Sequence, residues 1–256
     1  MGVSEHRAVP GEGGPAEPAT GTSPGSGTGP AVPDFVIAVD GPSGTGKSTV
    51  SRRVAKALGA GYLDTGAMYR IVALAVLRAG VDPQDAAAVT ALLDRLHFRS
   101  PTDPGAQQHF LDGEEVTAAI REHDVTVAVT PVSAIPAVRA FLFDRRQALA
   151  HAGRMVVEGR DIGTVIAPDA RLKIYLTADA AERARRRHLQ NVETDTGITD
   201  LAAVASDLHR RDSHDSARQH APLQAAVDAV VLDSSGLELE QTVHRVLELA
   251  AARGIR

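Results

Sequence analysis

Phe35-Val36-Ile37-Ala38-Val39-Asp40-Gly41-Pro42-Ser43-Gly44-Thr45-Gly46-Lys47-Ser48 joins an apolar run to a complete G-x-x-x-x-G-K-[ST] phosphate loop. In that context the motif reads as a nucleoside-triphosphate site at a strand-to-helix turn. Glycines at 41, 44 and 46 let the backbone approach phosphate oxygens closely, so that successive N–H groups can wrap around them. A helix opening at Lys47 aims its positive dipole end at the same anion. Lys47 is placed to reach the β- and γ-phosphates, and the Ser48 hydroxyl to ligate Mg²⁺.

Outward from the loop, strand and helix alternate. Val36 to Val39 is strand one, and Ser48 to Leu58 a helix with Val50, Val54, Ala57 and Leu58 at helical spacing. Gly61-Tyr62-Leu63 is a second strand ending at Asp64, and Ala67 to Ala79 a helix closed by Gly80. Met155-Val156-Val157, Leu172 to Leu176 and Ala229 to Leu232 read as further buried parallel strands. Five such strands joined by helical crossovers predict a doubly wound α/β sheet. Between about 92 and 131 the rhythm breaks. Leu96 to Arg99, His109 to Leu111 and Glu115 to Thr117 look like short strands, with Asp112-Gly113 as a hairpin turn. This predicts an antiparallel insert at the ligand-binding edge of the sheet.

Composition narrows the function classes. The 256-residue chain has no cysteine, which removes disulfides and thiol catalysis, and its ten histidines form no metal-binding pair such as H-E-x-x-H. A net charge of −5, no tryptophan and three tyrosines argue against a nucleic-acid surface. No run approaches the ~20 apolar residues of a membrane span, and no signal-peptide pattern precedes the fold, so a cytoplasmic protein is expected. Residues 1 to 33 hold eight of the 23 glycines and six of the 14 prolines. They read as a disordered tail outside a domain spanning 34–256.

Four clusters fall where the C-terminal ends of strands should meet the phosphate loop: Asp64-Thr65-Gly66-Ala67-Met68-Tyr69-Arg70, Val138-Arg139, Gly159-Arg160-Asp161-Ile162-Gly163-Thr164, and Arg211-Asp212 through Asp215 to Arg218. Several arginines aimed at one cleft repel each other unless a phosphorylated ligand neutralises them, and guanidinium forks bind phosphate in bidentate fashion. A helix-borne run, Glu182 to His188, reads either as a solvated face with a Glu182–Arg186 pair or as a lid over the transferring group. For the second protein contact to Mg²⁺, Glu158 at the end of the third strand, Asp161 and Asp40 remain open.

These motifs, in this order between about 35 and 250 and with Ala221-Pro222-Leu223 behind them, resemble the bacterial cytidylate kinases. The resemblance implies a P-loop nucleoside-monophosphate kinase fold: a five-stranded parallel sheet flanked by helices (core 34–91 and 132–256), an antiparallel acceptor-binding insert at about 92–131 and a helical lid at about 180–212. It implies transfer of the γ-phosphoryl group of ATP, with Mg²⁺, to CMP or dCMP. ATP would lie along Gly41, Pro42, Ser43, Gly44, Thr45, Gly46, Lys47, Ser48 and Thr49. Arg70, Arg160 and Arg218 would hold the CMP phosphate, Arg211 and Asp215 the ribose, and Arg139 and Asp161 the cytosine. Lys47, Arg160 and the lid residues Arg183 and Arg187 would surround the transferring group. The chain has Thr65 and Thr130 where serine is common in the family, which bears on UMP as a weaker acceptor. The resemblance also implies a monomer. A kinase of another phosphorylated acceptor such as UMP, and a nucleotide-binding regulatory module, are the alternatives. A GTP switch would need an Asn-Lys-x-Asp motif, and Asn191, the chain's one asparagine, is followed by Val192.

Overall fold

The computed structural model describes residues 34–193, 200–218 and 221–256. The tail expected at 1–33 and residues 194–199 of the expected lid lie outside the described residues.

The apolar run becomes β1 (Phe35–Asp40), buried along its whole length, and the phosphate loop leads into α1 (Lys47–Ala57). Next come β2 (Gly61–Asp64) and α2 (Thr65–Arg78). That helix starts two residues earlier than its apolar spacing predicts, because the Asp64 carboxylate accepts from the Ala67 N–H at 2.9 Å and caps it. After α3 (Ala86–Leu93), three two-residue strands, β3 (Phe98–Arg99), β4 (Phe110–Leu111) and β5 (Glu114–Glu115), form a separate antiparallel sheet. Then follow α4 (His123–Ala134), α5 (Pro136–Ala150), β6 (Arg154–Gly159), β7 (Leu172–Thr177), α6 (Ala180–Glu193), α7 (Leu201–Ser216), β8 (Val230–Asp233) and α8 (Leu239–Ala251).

The main sheet is parallel, in the order β2-β6-β1-β7-β8. Alternation along the strands divides the core into two layers. Phe35, Ile37, Val39 and Val156 pack with Val50, Val54, Val243 and Val246 of α1 and α8, whereas Val36, Ala38, Met155 and Val157 face residues of α2, α4 and α5. β1 is central, so its C-terminal loop lies between the ends of β6 and β7, where chain connections diverge and ligands bind in such sheets.

The insert differs in detail from its sequence pattern. Asp112 (φ 50°) and Gly113 (φ 86°) make the expected two-residue turn. That tightness pairs Leu111 with Glu114 and Phe110 with Glu115, so the third strand ends at Glu115 rather than Thr117, and Val116 turns into the core. Leu96 is likewise a core residue ahead of β3. The stretch from 119 to 134 is helical, and α4 runs through the expected insert boundary at 131, with Thr130 and Pro131 inside it. Among the described residues no single helix is long and apolar enough to cross a membrane.

Candidate active site

Packing dictates the loop's composition. At Gly41 (φ 146°) a Cβ would lie 2.0 Å from the Leu176 carbonyl oxygen on β7, and at Gly44 (φ 81°) 2.9 Å from that of Arg183 on α6. Gly46 (φ 84°) caps α1 in the left-handed region. Inside the loop Lys47 is buried, and its Nζ donates to the Pro42 carbonyl at 2.7 Å. Burial, followed by the neighbouring Arg160 guanidinium, pushes its ammonium down to about 7.

Ser48 Oγ donates to Glu158 Oε1 at 2.7 Å, and Glu158 Oε2 is buried without a hydrogen-bond partner among the described residues. A hydroxyl and a carboxylate are hard oxygen donors of the kind Mg²⁺ takes in ones and twos beside substrate phosphates. Glu158 is thus the acid next to Ser48. Asp40 instead accepts from the backbone N–H groups of Ile162 (2.8 Å) and Gly163 (2.7 Å), and Asp161 is engaged by arginines. Burial raises Glu158 to about 7, with Asp64 adding to it. A carboxyl whose folded pKa is raised loses its contribution to stability as pH climbs from its unfolded value to its folded one. Glu158→Gln is therefore expected to gain in thermal midpoint over the parent progressively between about pH 4.5 and 7 in the absence of nucleotide. A difference that stays constant across that range would remove the raised carboxyl from the site.

Facing the loop is a cavity of about 840 Å³ lined by Thr45, Lys47, Ser48, Thr49, Thr65, Arg70, Thr130, Arg139, Arg160, Asp161, Arg187, Arg211, Asp215 and Arg218, among others. The arginines come from α2, α5, the end of β6, α6 and α7, so only the folded chain brings them together. Their pairing is specific. Asp215 accepts from Arg160 Nε at 3.0 Å and from Arg218, while Arg211, four residues before Asp215 on the helix, leaves Nη1 buried and, among the described residues, without a hydrogen-bond partner. Asp215 titrates below its ordinary value although burial pushes it up, because Arg160 and Arg218 flank it. Arg70 donates to the Ile120 carbonyl and Thr126 Oγ1. Burial, with Arg211 and Arg187 nearby, pushes Arg70 down to about 9; burial, with Arg211, pushes Arg187 down to about 10. Guanidinia that depress one another in a buried cleft form a receptor for an anion.

Ser43 ties this cluster to the loop. Its Oγ accepts from Arg160 Nη2 (2.7 Å), its N–H donates to Asp212 Oδ1 (3.2 Å), and its carbonyl accepts from Arg183 Nη1 (3.1 Å). Two residue types singled out from sequence behave differently from expectation. Arg183 does not line the cavity: it is spent on Asp212 and on the Ser43 and Ala178 carbonyls behind the loop. Thr65 does line it, but its hydroxyl donates to the Glu158 carbonyl at 2.7 Å. Among the described residues no side-chain hydrogen bond holds Thr130, whose carbonyl accepts from Ser133 Oγ.

A cytidylate kinase family profile matches residues 37–252. The chain belongs to the cytidylate kinase family. It is similar to a protein named cytidylate kinase from Rhodococcus opacus, 52% identical over 220 residues, covering 86% of this chain and 96% of the relative. Another cytidylate kinase, from Mycolicibacterium paratuberculosis, is 50% identical over 222 residues with the same coverage. At 45% identity over 225 residues the chain also matches 42% of a bifunctional pantoate ligase/cytidylate kinase from Synechococcus elongatus.

Some residues of this cytidylate kinase family site escaped the motif reading. Arg146 pairs with Asp161 from α5. Arg186, read from helical spacing as the partner of Glu182, makes that pair at 2.7 Å and also joins α6 to the Thr45, Ser234 and Leu237 carbonyls and to Ser234 Oγ. The segment 235–239 and Thr242 complete the cavity wall near the loop. Arg146 had one usable signal, its spacing of seven from Arg139; the 235–239 segment had none, since Ser-Gly-Leu-Glu-Leu matches no phosphate-binding pattern.

Proposed function

We propose that this chain transfers the γ-phosphoryl group of ATP, in the presence of Mg²⁺, to the phosphate of CMP or dCMP, giving ADP and CDP or dCDP. The observation that carries the reading is one cavity holding a phosphate loop, a cluster of arginines and an Asp161–Arg139 ion pair in a member of the cytidylate kinase family.

ATP lies along residues 41–49, with Lys47 leaving the Pro42 carbonyl for the β- and γ-phosphates. Ser48 and Glu158 would hold Mg²⁺, which would supply neutralisation of charge on the phosphates. Arg70, Arg160 and Arg218 hold the acceptor phosphate, and Arg211 and Asp215 the ribose. The attacking atom is an oxygen of a phosphate monoester whose second pKa is about 6, so it is largely ionised at neutral pH and no general base is needed. Catalysis is then alignment and charge stabilisation by Lys47, Arg160 and Arg187, with Arg183 keeping the loop and α6 in place. Closure of α6 and α7 over the cavity excludes water that would hydrolyse ATP. The chain acts as a monomer in the cytoplasm, in pyrimidine nucleotide metabolism.

Cytosine presents an N4 amino donor to a carboxylate and N3 and O2 acceptors to a guanidinium, and uracil reverses part of that pattern. Asp161 and Arg139 therefore read the base, Thr130 borders it, and UMP is the weaker acceptor. The test is ADP release with CMP, dCMP, UMP, AMP, GMP or no acceptor. A sharp preference for CMP and dCMP is expected. Equal rates with UMP would defeat the base-reading assignment, and turnover only without acceptor would defeat the kinase reading. Asp161→Ala is expected to lose chiefly the CMP over UMP discrimination, measured as the ratio of kcat/KM values; an intact ratio would remove Asp161 from base reading.

A further inference from the structure

α5 places two arginines on one face, Arg139 and, two helical turns later, Arg146. They differ in depth. Arg139 borders the cavity, whereas Arg146 is 1% exposed and does not line it. Both reach the same carboxylate: Arg139 Nη2 lies 2.6 Å from Asp161 Oδ2, and Arg146 Nη1 lies 3.1 Å from Oδ1 and 3.4 Å from Oδ2. The Tyr69 ring borders both guanidinia, with its centre 5.1 Å from that of Arg146 and 5.8 Å from that of Arg139.

A buried arginine with a single anionic partner is costly unless the pair's geometry serves a purpose. A guanidinium and a carboxylate left to themselves close into a bidentate fork that consumes both oxygens. Here Arg146 occupies Oδ1 from the buried side. Among the described residues Arg139 makes one side-chain hydrogen bond, through Nη2, and it lines the cavity. The trio also carries one net positive charge rather than none, which favours a base edge rich in acceptors.

We propose that Arg146 is a positioning residue that sets acceptor selectivity: by holding Asp161 from behind, it keeps Arg139 from folding onto that carboxylate and so keeps both groups presented to an aminopyrimidine. This rests on the base-reading role of Asp161 and Arg139 given above. Arg146 itself touches no substrate.

The test is steady-state kinetics of full-length Arg146→Met with CMP and UMP, alongside the parent and Asp161→Ala. Methionine fills much of the space without a charge, and Asp161 keeps Arg139 as a partner. The CMP to UMP ratio of kcat/KM is expected to fall about tenfold, a difference of about 1.4 kcal/mol, chiefly through the KM for CMP. Loss of both activities in equal proportion would mark a merely structural arginine and overturn the proposal. Should the methionine variant fail to fold, Arg146→Lys keeps the charge but not the planar fork. It is expected to lower the ratio by about threefold or more, and an unchanged ratio overturns the proposal equally. A parent enzyme without CMP preference, or an Asp161→Ala variant that retains it, would bring down the base-reading assignment itself. Loss of the ratio in Asp161→Ala with its retention in the Arg146 variants would bring down the role of Arg146 alone.

Discussion

Lys47→Ala is expected to lower kcat for phosphoryl transfer to CMP by about 10²–10³-fold, the cost typical of removing one preorganised group that stabilises transition-state charge. Lys47 begins α1 inside the phosphate loop, and its Nζ donates to the Pro42 carbonyl. Burial holds its ammonium at about 7, so that a triphosphate arriving beside it supplies the anionic partner it lacks. Removing it should not harm the fold. A depressed lysine costs stability between its folded and unfolded pKa values in reverse of Glu158: the unfolded chain binds more protons from about pH 7 to 10, so stability rises with pH across that window in the parent and not in the variant. ADP release assays and thermal melts at pH 7 and 9 measure both effects. A loss of turnover smaller than tenfold would mean that the triphosphate is not seated on this loop.

Gly41→Ala is expected to act on stability rather than turnover, costing more than about 3 kcal/mol. The new Cβ would lie 2.0 Å from a backbone oxygen of β7, in a backbone conformation that L side chains rarely adopt. Neither side of the contact can yield, because Leu176 is in the sheet that buries it and the loop is held at Ser43 by Asp212, Arg160 and Arg183. Gly46→Ala is the internal comparison: φ is also positive but nothing lies within 4 Å, so only the conformational cost of about 1–2 kcal/mol applies. Urea unfolding of the two variants gives the difference. Equal losses would show that strain at φ, and not the approach of β7, is what requires glycine at 41.

Much of the fold is readable along the chain because it rests on local periodicity. The apolar runs at 36–39, 155–157 and 172–176 fall in strands of the parallel sheet, as does 230–232 of the run read from Ala229, and the Asp112-Gly113 turn sits where the dipeptide demands. Where boundaries shifted, a side chain or a turn intervened: the Asp64 cap lengthened α2, and the tight turn ended β5 at Glu115.

The loop motif, the order of the strands and helices, and the residue types near each strand end were determined by sequence alone, since each depends on neighbours within a few positions. The Glu182–Arg186 pair follows from helical spacing, but which charged groups meet across elements was decided only by the tertiary structure. Helical spacing put Arg211 beside Asp215, yet that carboxylate pairs with Arg160 from across the sheet and with Arg218. The motif that named Arg183 could not show it turned behind the loop, and no motif named Arg146. Ion pairing in a buried site is settled by which groups lose water together and by the length and approach of their side chains, quantities that exist only once β1, β6 and the α5–α7 helices stand around one cavity.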